Sequence, residues 1–290
     1  MPSKQHLNTI NDAVTRLSDA GTYRHLFHQC NPGEPVPSVA EIKKIVELCR
    51  SVIFPGYYGY SSTDTSILHY HIGVNVEELF KLLSRQIHAG LCFLCDDDSD
   101  RRVRASEISA QFISQLPDLR AILATDVEST YNGDPAATNF GEVISCYPSI
   151  RAVVNHRIAH TLLSLGVPLI PRIIAELAHS ETGIDIHPGA TIGHHFTIDH
   201  GTGVVIGQTC IIGNNVKIYQ GVTLGARSFP LDENGNPIKG NLRHPIIEDD
   251  VIIYSNATVL GRITIGRGAV IGGNVWLTHS VAPGQTILQT

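Results

Sequence analysis

Two hydrophobic periods divide the chain. Over roughly the first 180 residues apolar positions recur at helical spacing. Ser38-Val-Ala-Glu41 reads as a capping box, in which the serine accepts an early backbone N–H and the glutamate reaches back. Ile42, Ile45, Val46 and Cys49 then fall on one face. Asn75 with Glu78 reads as a second helix start, ahead of Leu79, Leu82, Leu83 and Ile87. Ile108, Phe112, Ile113 and Leu116 continue the pattern. Pro117 is expected to open the next helix, where its missing N–H costs nothing, and Leu119, Ile122, Leu123 and Val127 share that helix's face. Further helices are expected through Ile150, Val153, Val154 and Leu162, and through Ile173, Ile174 and Leu177, with Gly166 and Gly183 as stops.

After Gly183 the period becomes six. Ile186, Ile192, Ile198 and Val204 form one arc, and a two-residue slip follows. Ile206, Ile212, Ile218 and Leu224 form a second arc. After a longer break come Ile247, Ile253, Val259, Ile265, Ile271 and Leu277. Glycine directly follows six of these positions, at 193, 207, 213, 225, 266 and 272. Small or β-branched residues such as Ala190, Thr202, Cys210, Val216, Ala257 and Ala269 lie two places before most of them. A helix would not tolerate this glycine content and lacks the period. A β-solenoid accounts for it: each step is a short strand and a turn, three steps close a triangular coil, and the aliphatic residue fills the core. Such an interior is full, so chemistry must lie on faces, on loops or between subunits. The break at 226–242, ARSFPLDENGNPIKGNL, is polar and turn-rich and reads as a loop expelled from the scaffold.

Composition adds limits. A chain of 290 residues is long enough for one large domain or two ordinary ones, and it can bury a core without disulfide or metal staples. The domains expected are a helical one over 1–182 and a solenoid over 183–290. A net charge of -6 argues against nucleic acid and anionic membranes as main partners. No apolar run is long enough to span a bilayer and the N-terminus has no secretory pattern, so a cytoplasmic location with reduced thiols is expected. Cys92-x-x-Cys95 with His88 one turn earlier could be read as a metal or redox site; without a second pair, buried small residues on a helix is the simpler reading. The three tyrosines of Pro55–Tyr60 suggest a packed turn, and the acidic run 96–98 a solvated surface.

The candidate chemistry collects in 185–207, DIHPGATIGHHFTIDHGTGVVIG. His200 is the best candidate general base, because imidazole titrates near neutrality. Asp185 precedes it by 15 residues, close to one coil, so stacking is expected to bring the carboxylate to the imidazole and hold its tautomer. The slip directly after His200 suggests a re-aimed turn. Arg243, at the loop's return, could grip a substrate carboxylate in bidentate fashion. His194, His195 and His200 invite a zinc reading across a subunit interface, but no third ligand at suitable spacing is evident.

The stretches GIDIHPGATIG, IDHGTGVVIG, QGVTLGA and RHP, in that order, resemble the serine O-acetyltransferase family over most of 130–280. The resemblance implies an N-terminal helical domain followed by a left-handed parallel β-helix of hexapeptide repeats. It implies a homotrimer with active sites between solenoids, and leaves open whether two trimers pair through the helical half. His200 would take the proton from the L-serine hydroxyl and Asp185 would orient it. Asp134, in GDPA, and Asp199 would bind the serine ammonium; Arg243 and His244 would bind its carboxylate. The co-substrate would be acetyl-CoA, lying near Gly225, Ala226, Ser255 and Gly273, with no metal expected. The product, O-acetylserine, would serve cysteine biosynthesis.

This chain departs from the family pattern in two places. Ala226-Arg227-Ser228 and a longer insertion replace the family's glycine-rich loop. The segment after Leu277 also lacks the Val-Pro-Ala stretch and the tail ending in isoleucine that docks into O-acetylserine sulfhydrylase, so either the sequence is cut short there or this member does not form that complex. Two alternatives stand beside this reading: a solenoid acyltransferase for a sugar or another amine, and a metal-dependent hydratase or non-catalytic scaffold. A carboxylate clamp and an ammonium partner would distinguish serine from a sugar.

Overall fold

The computed structural model describes residues 4–23, 35–59, 64–94 and 98–289. Its described helices are α1 Lys4–Leu17, α2 Val39–Ile53, α3 Thr65–Leu91, α4 Asp98–Ser114, α5 Leu116–Gly133, α6 Phe140–Cys146, α7 Pro148–Ser164 and α8 Ile170–Thr182. Pro117 stands in the first turn of α5, as its lack of a donor favours. Gly183 caps α8 in the left-handed conformation, φ 71°, where a side chain would be opposed.

Two helix starts differ from the sequence reading. Asp64 caps α3, so Asn75 and Glu78 lie inside one long helix; Asn75 donates instead to the Ser51 hydroxyl of α2. The capping box is half formed. Ser38 Oγ accepts from Glu41 N at 3.4 Å, but the Ser38 N–H goes to Gln86 Oε1 at 2.7 Å, because Arg85 and Gln86 of α3 hold the Glu41 carboxylate. Tyr58 packs as a turn residue, its hydroxyl donating to Ile144 O at 2.8 Å, while Tyr60 lies outside the described residues. Cys92 is buried in a short 3₁₀ turn after α3; Cys95 and residues 96–97 lie outside the described residues. Burial pushes the Cys49 and Cys210 thiols up to about 12, which leaves them inert.

From Asp185 the chain winds as a parallel β-solenoid of three sheets. The first stacks β1 Asp185–Ile186, β4 Val205–Ile206, β7 Thr223–Gly225, β10 Thr258–Leu260 and β13 Trp276–Leu277. The second stacks β2 Thr191–Ile192, β5 Ile211–Ile212, β8 Ile246–Ile247 and β11 Thr264–Ile265. The third stacks β3 Thr197–Asp199, β6 Lys217–Tyr219, β9 Ile252–Ile253, β12 Val270–Ile271 and β14 Thr286–Ile287. All fourteen aliphatic positions of the six-residue pattern are buried. Each such burial stabilises by about 1.5–3 kcal/mol. Val204 serves differently from the arc it was assigned to. It is the residue two places before Ile206, equivalent to Ala190 before Ile192, and Thr202 is exposed instead. Residues 226–242 leave the scaffold between β7 and β8 and are mostly exposed.

One corner of the triangle demands left-handed backbone. His195, Asn215 and Asp250, with φ of 56°, 55° and 63°, stack there with Gly268 and Gly284. Asn, Asp and Gly are the residues that tolerate this conformation, so His195 occupies a structural corner. The helices meet the solenoid at its first coil. Ser129 of α5 donates to His195 O at 3.0 Å and shares a hydrogen bond with Thr197 Oγ1 at 2.9 Å. No described helix is long and apolar enough to cross a membrane.

Candidate active site

The first coil is two residues longer than the eighteen-residue coil that follows it, and the extra length lies at His200. Asp185 pairs with Val205, twenty places on, whereas Val205 pairs with Thr223, eighteen places on. The two additional residues lie in the corner 200–204, where His200, Gly201 and Gly203 all have positive φ, at 56°, 91° and 79°. A Cβ at Gly201 would lie 2.5 Å from Ile184 Cδ1, so glycine lets this turn close over the core. The imidazole of His200 is thereby pushed outward, with its side chain 75% exposed.

Three carboxylate and amine groups surround that corner. Asp199 Oδ1 lies 3.8 Å from His200 Nε2. Asp199 Oδ2 lies 3.3 Å from the Lys217 ammonium, one strand up on β6. Lys217 also donates to Gly133 O at 2.7 Å, at the end of α5. The next residue, Asp134, accepts from Ala136 N at 2.8 Å and from the Tyr147 hydroxyl at 2.6 Å. The Tyr147 hydroxyl, then the Ala136 amide, hold the Asp134 carboxyl below its usual range against a small burial effect, with Lys217 and His200 adding to the shift. The same contact pushes Tyr147 up to about 12. Asp199 thus stands beside His200, and Asp134, at the end of α5 that Lys217 ties to β6, is within electrostatic reach of the same imidazole.

Asp185 does not join them within one chain. A full coil here takes twenty residues, so Val205, not His200, stands above Asp185. No hydrogen bond or ion pair links Asp185 to His200; the carboxylate lies instead with Glu176 and His179 of α8, one ligand atom from each lying within 4.8 Å of the others. Both Asp185 and His200 nonetheless flank the same corner, since Gly203 N donates to Gly183 O at 2.9 Å.

Arg243 and His244 occupy a different corner, beyond the first sheet. Arg243 Nη2 donates to Gln208 Oε1 at 3.0 Å and Nη1 to Asn241 O at 3.2 Å. His244 is buried, with Nδ1 accepting from Thr209 N at 3.1 Å and Oγ1 lying at 2.9 Å. Burial, then Arg243 and Arg262, bring His244 down to about 4. His187 is nearby and is also brought down to about 4, by burial, Arg172, His244 and Arg243. Gly225 and Ala226 sit where the loop departs on this side, next to a groove of about 530 Å³ lined by Arg227, Arg243 and Arg262. Ser255 and Gly273 stack on the His200 side, a Cβ at Gly273 falling 3.2 Å from Ser255 O. One chain thus divides the candidate residues into two groups, on the two edges of the β1-β4-β7-β10-β13 sheet.

Sequence reasoning missed Tyr147 and Lys217. Lys217 could have been found, because it precedes core Ile218 and must point outward on the strand above Asp199. Tyr147 carries no such signal: only the fold of α6 and α7 brings it to Asp134. His194 and His195 stand at the left-handed corner and add nothing to this cluster.

A three-sheet solenoid of six-residue steps with an outward imidazole defines a hexapeptide-repeat transferase, and residues 244–279 match the family model "Bacterial transferase hexapeptide (six repeats)". The chain is 48% identical to the plasmid serine acetyltransferase of Synechococcus elongatus, over 98% of this chain and 90% of that protein. It resembles the L-cysteine complex of Entamoeba histolytica serine acetyltransferase 1 with a TM-score of 0.75 and 36% identity, covering 87% of each chain. It resembles serine acetyltransferase isoform 3 of that organism, in complex with cysteine, with a TM-score of 0.73 and 35% identity over 90% of this chain and 84% of that one. The chain belongs to the serine acetyltransferase family and is an acyltransferase.

Proposed function

We propose that the protein transfers the acetyl group of acetyl-CoA to the hydroxyl of L-serine, giving O-acetylserine for cysteine biosynthesis. The observation that carries this reading is the pairing of Asp134 and Asp199 beside His200. Two carboxylates suit an ammonium, and the imidazole near them suits the hydroxyl carried two carbons away. His200 Nε2 takes the hydroxyl proton as the serine oxygen attacks the thioester carbonyl. The C–S bond then breaks, and the imidazolium returns its proton to the CoA thiolate. Arg243 and His244 take the serine carboxylate, and Gly225, Ala226, Ser255 and Gly273 line the CoA path. The arginine-lined groove beside Gly225 and Ala226 favours an anionic ligand there.

The same reading makes the protein a homotrimer. The base and the carboxylate clamp lie on opposite edges of one sheet, so a site needs one edge from each of two solenoids. Asp185 is assigned the role of orienting His200 in that assembly. Residues 1–182 and 183–290 are taken as its two domains, joined at Gly183.

The test is loss of thioester absorbance on mixing purified protein, acetyl-CoA and L-serine, a readout that does not rely on a thiol reagent and so can be repeated with added cysteine. Serine-dependent loss, slowed by L-cysteine competing for the serine site, is the expected result. Acetylation of a sugar with serine inert would transfer the protein to another acceptor class.

A further inference from the structure

Two carboxylates at one subsite repel each other, and a site made of them needs something to hold them apart and offset part of their charge. Asp134 and Asp199 add a second difficulty. One caps α5 and the other ends β3, so their spacing depends on how the helices sit against the solenoid. A single side chain touches both supports. Lys217 and Asp199 point outward on neighbouring strands, with Thr197 opposite Lys217 and Asp199 opposite Tyr219. The Lys217 ammonium lies 3.3 Å from Asp199 Oδ2 and donates to Gly133 O, the residue before Asp134, at 2.7 Å. Its ammonium lies over the Tyr219 ring, 4.9 Å from the centroid. The opposite side of Asp134 is fixed by Tyr147.

We infer that Lys217 is a positioning residue for the acceptor's ammonium: it spans the seam between α5 and β6, sets the separation of Asp134 and Asp199, and leaves the pair with one negative charge to spare. The inference rests on the acetyl transfer to L-serine proposed above. With Lys217 and both carboxylates ionised, the three groups sum to one negative charge, which a single ammonium neutralises. The acceptor class is therefore a primary amine of one positive charge at this end, in preference to a diamine. Lys217 also shields His200 indirectly. Asp199 presents one oxygen to the imidazole at 3.8 Å and the other to Lys217 at 3.3 Å. The charged groups that reach His200 are Asp199 on β3, at 3.8 Å, and Asp134 after α5, with Lys217 on β6 acting on it through Asp199. Removing Lys217 leaves only acidic neighbours, so an imidazolium there becomes more favourable.

The experiment compares Lys217→Met, Lys217→Arg and the unchanged protein, full length, in the thioester assay with L-serine as the probe. Each is measured across pH, and each is checked for its thermal midpoint. For Lys217→Met the serine KM is expected to rise roughly tenfold or more, as for loss of a charge-assisted contact. The KM for acetyl-CoA is expected to stay within about twofold. The acid limb of kcat/KM is expected to move to higher pH, and Lys217→Arg to restore most of both properties. A Lys217→Met protein with unchanged or lowered serine KM overturns the inference, because extra negative charge would then matter more than spacing. So does an equal rise in both KM values, or a loss that Lys217→Arg shares in full. If the unchanged protein itself ignores serine, the proposed reaction fails first and the role of Lys217 falls with it.

Discussion

The Arg157 guanidinium grips both oxygens of the Asp126 carboxylate, Nε to Oδ2 at 2.7 Å and Nη2 to Oδ1 at 3.0 Å. The pair is buried where the helices meet the first coil, with Asp126 fully enclosed. Each partner also reaches the solenoid: Arg157 donates to Gly193 O at 2.8 Å and Asp126 Oδ1 accepts from Phe196 N at 2.9 Å. Burial pushes the Asp126 carboxyl up and Arg157 opposes it. Removing one partner leaves an uncompensated buried charge. Arg157→Met is therefore expected to destabilise the protein by about 3–5 kcal/mol, read as a lowered urea midpoint. Stability within about 1 kcal/mol of the unchanged protein would show that the seam is held by apolar packing instead.

His200→Ala is expected to lower kcat by about 10²–10⁴ while leaving the serine KM near its starting value, since the side chain acts on the hydroxyl and not on the ammonium. A rate within about threefold of the unchanged protein would remove His200 from the role of base. Asp185→Asn is expected to cost less. Its carboxylate does not touch His200 within one chain, so it can orient the imidazole only in the assembled protein.

Gly207 faces the ring of His244, and an added Cβ would overlap it. The ring would have to swing away from Thr209, giving up both contacts to Nδ1. Gly207→Ala is expected to cost about 1–3 kcal/mol of stability by overpacking. Through His244 it is also expected to raise the serine KM more than the acetyl-CoA KM. Steady-state kinetics on both substrates separates this from a general loss of fold.

The loop corner also sets an acid limit on stability. His187 and His244 each titrate at about 4 in the folded chain, below the reference value of 6.5. Between those values the unfolded chain takes up protons that the folded chain refuses, so stability falls as pH falls. Above about pH 6.5 this contribution is complete. The melting temperature is expected to drop through this window. A His187→Gln, His244→Gln double variant should drop less steeply, once the shared carboxylate contribution is subtracted. Parallel curves for the two proteins would contradict the assignment.

The sequence by itself determined the scaffold. Fourteen aliphatic residues at six-residue spacing cannot all be buried by a helix, and every one is buried in the solenoid. It also determined the candidate base, because the two-residue slip marks the corner where His200 turns outward. Tertiary structure decided which groups meet. The spacing of 15 residues between Asp185 and His200 looked like a coil, but the extended first coil takes twenty and puts Val205 over Asp185. Asn75 looked like a helix start, but Asp64 supplies the cap and α3 runs through. Asp134 lies 65 residues before Asp199, and only the packing of α5 on β3 brings it to the solenoid. Tyr147 was invisible for the same reason, whereas the outward direction of Lys217 was legible from core Ile218 and only its reach to Gly133 was not. A repeat fixes contacts at its own period, so local pattern reveals the coil. Contacts between helices and coil follow no period, and the physics that selects them is packing across a seam.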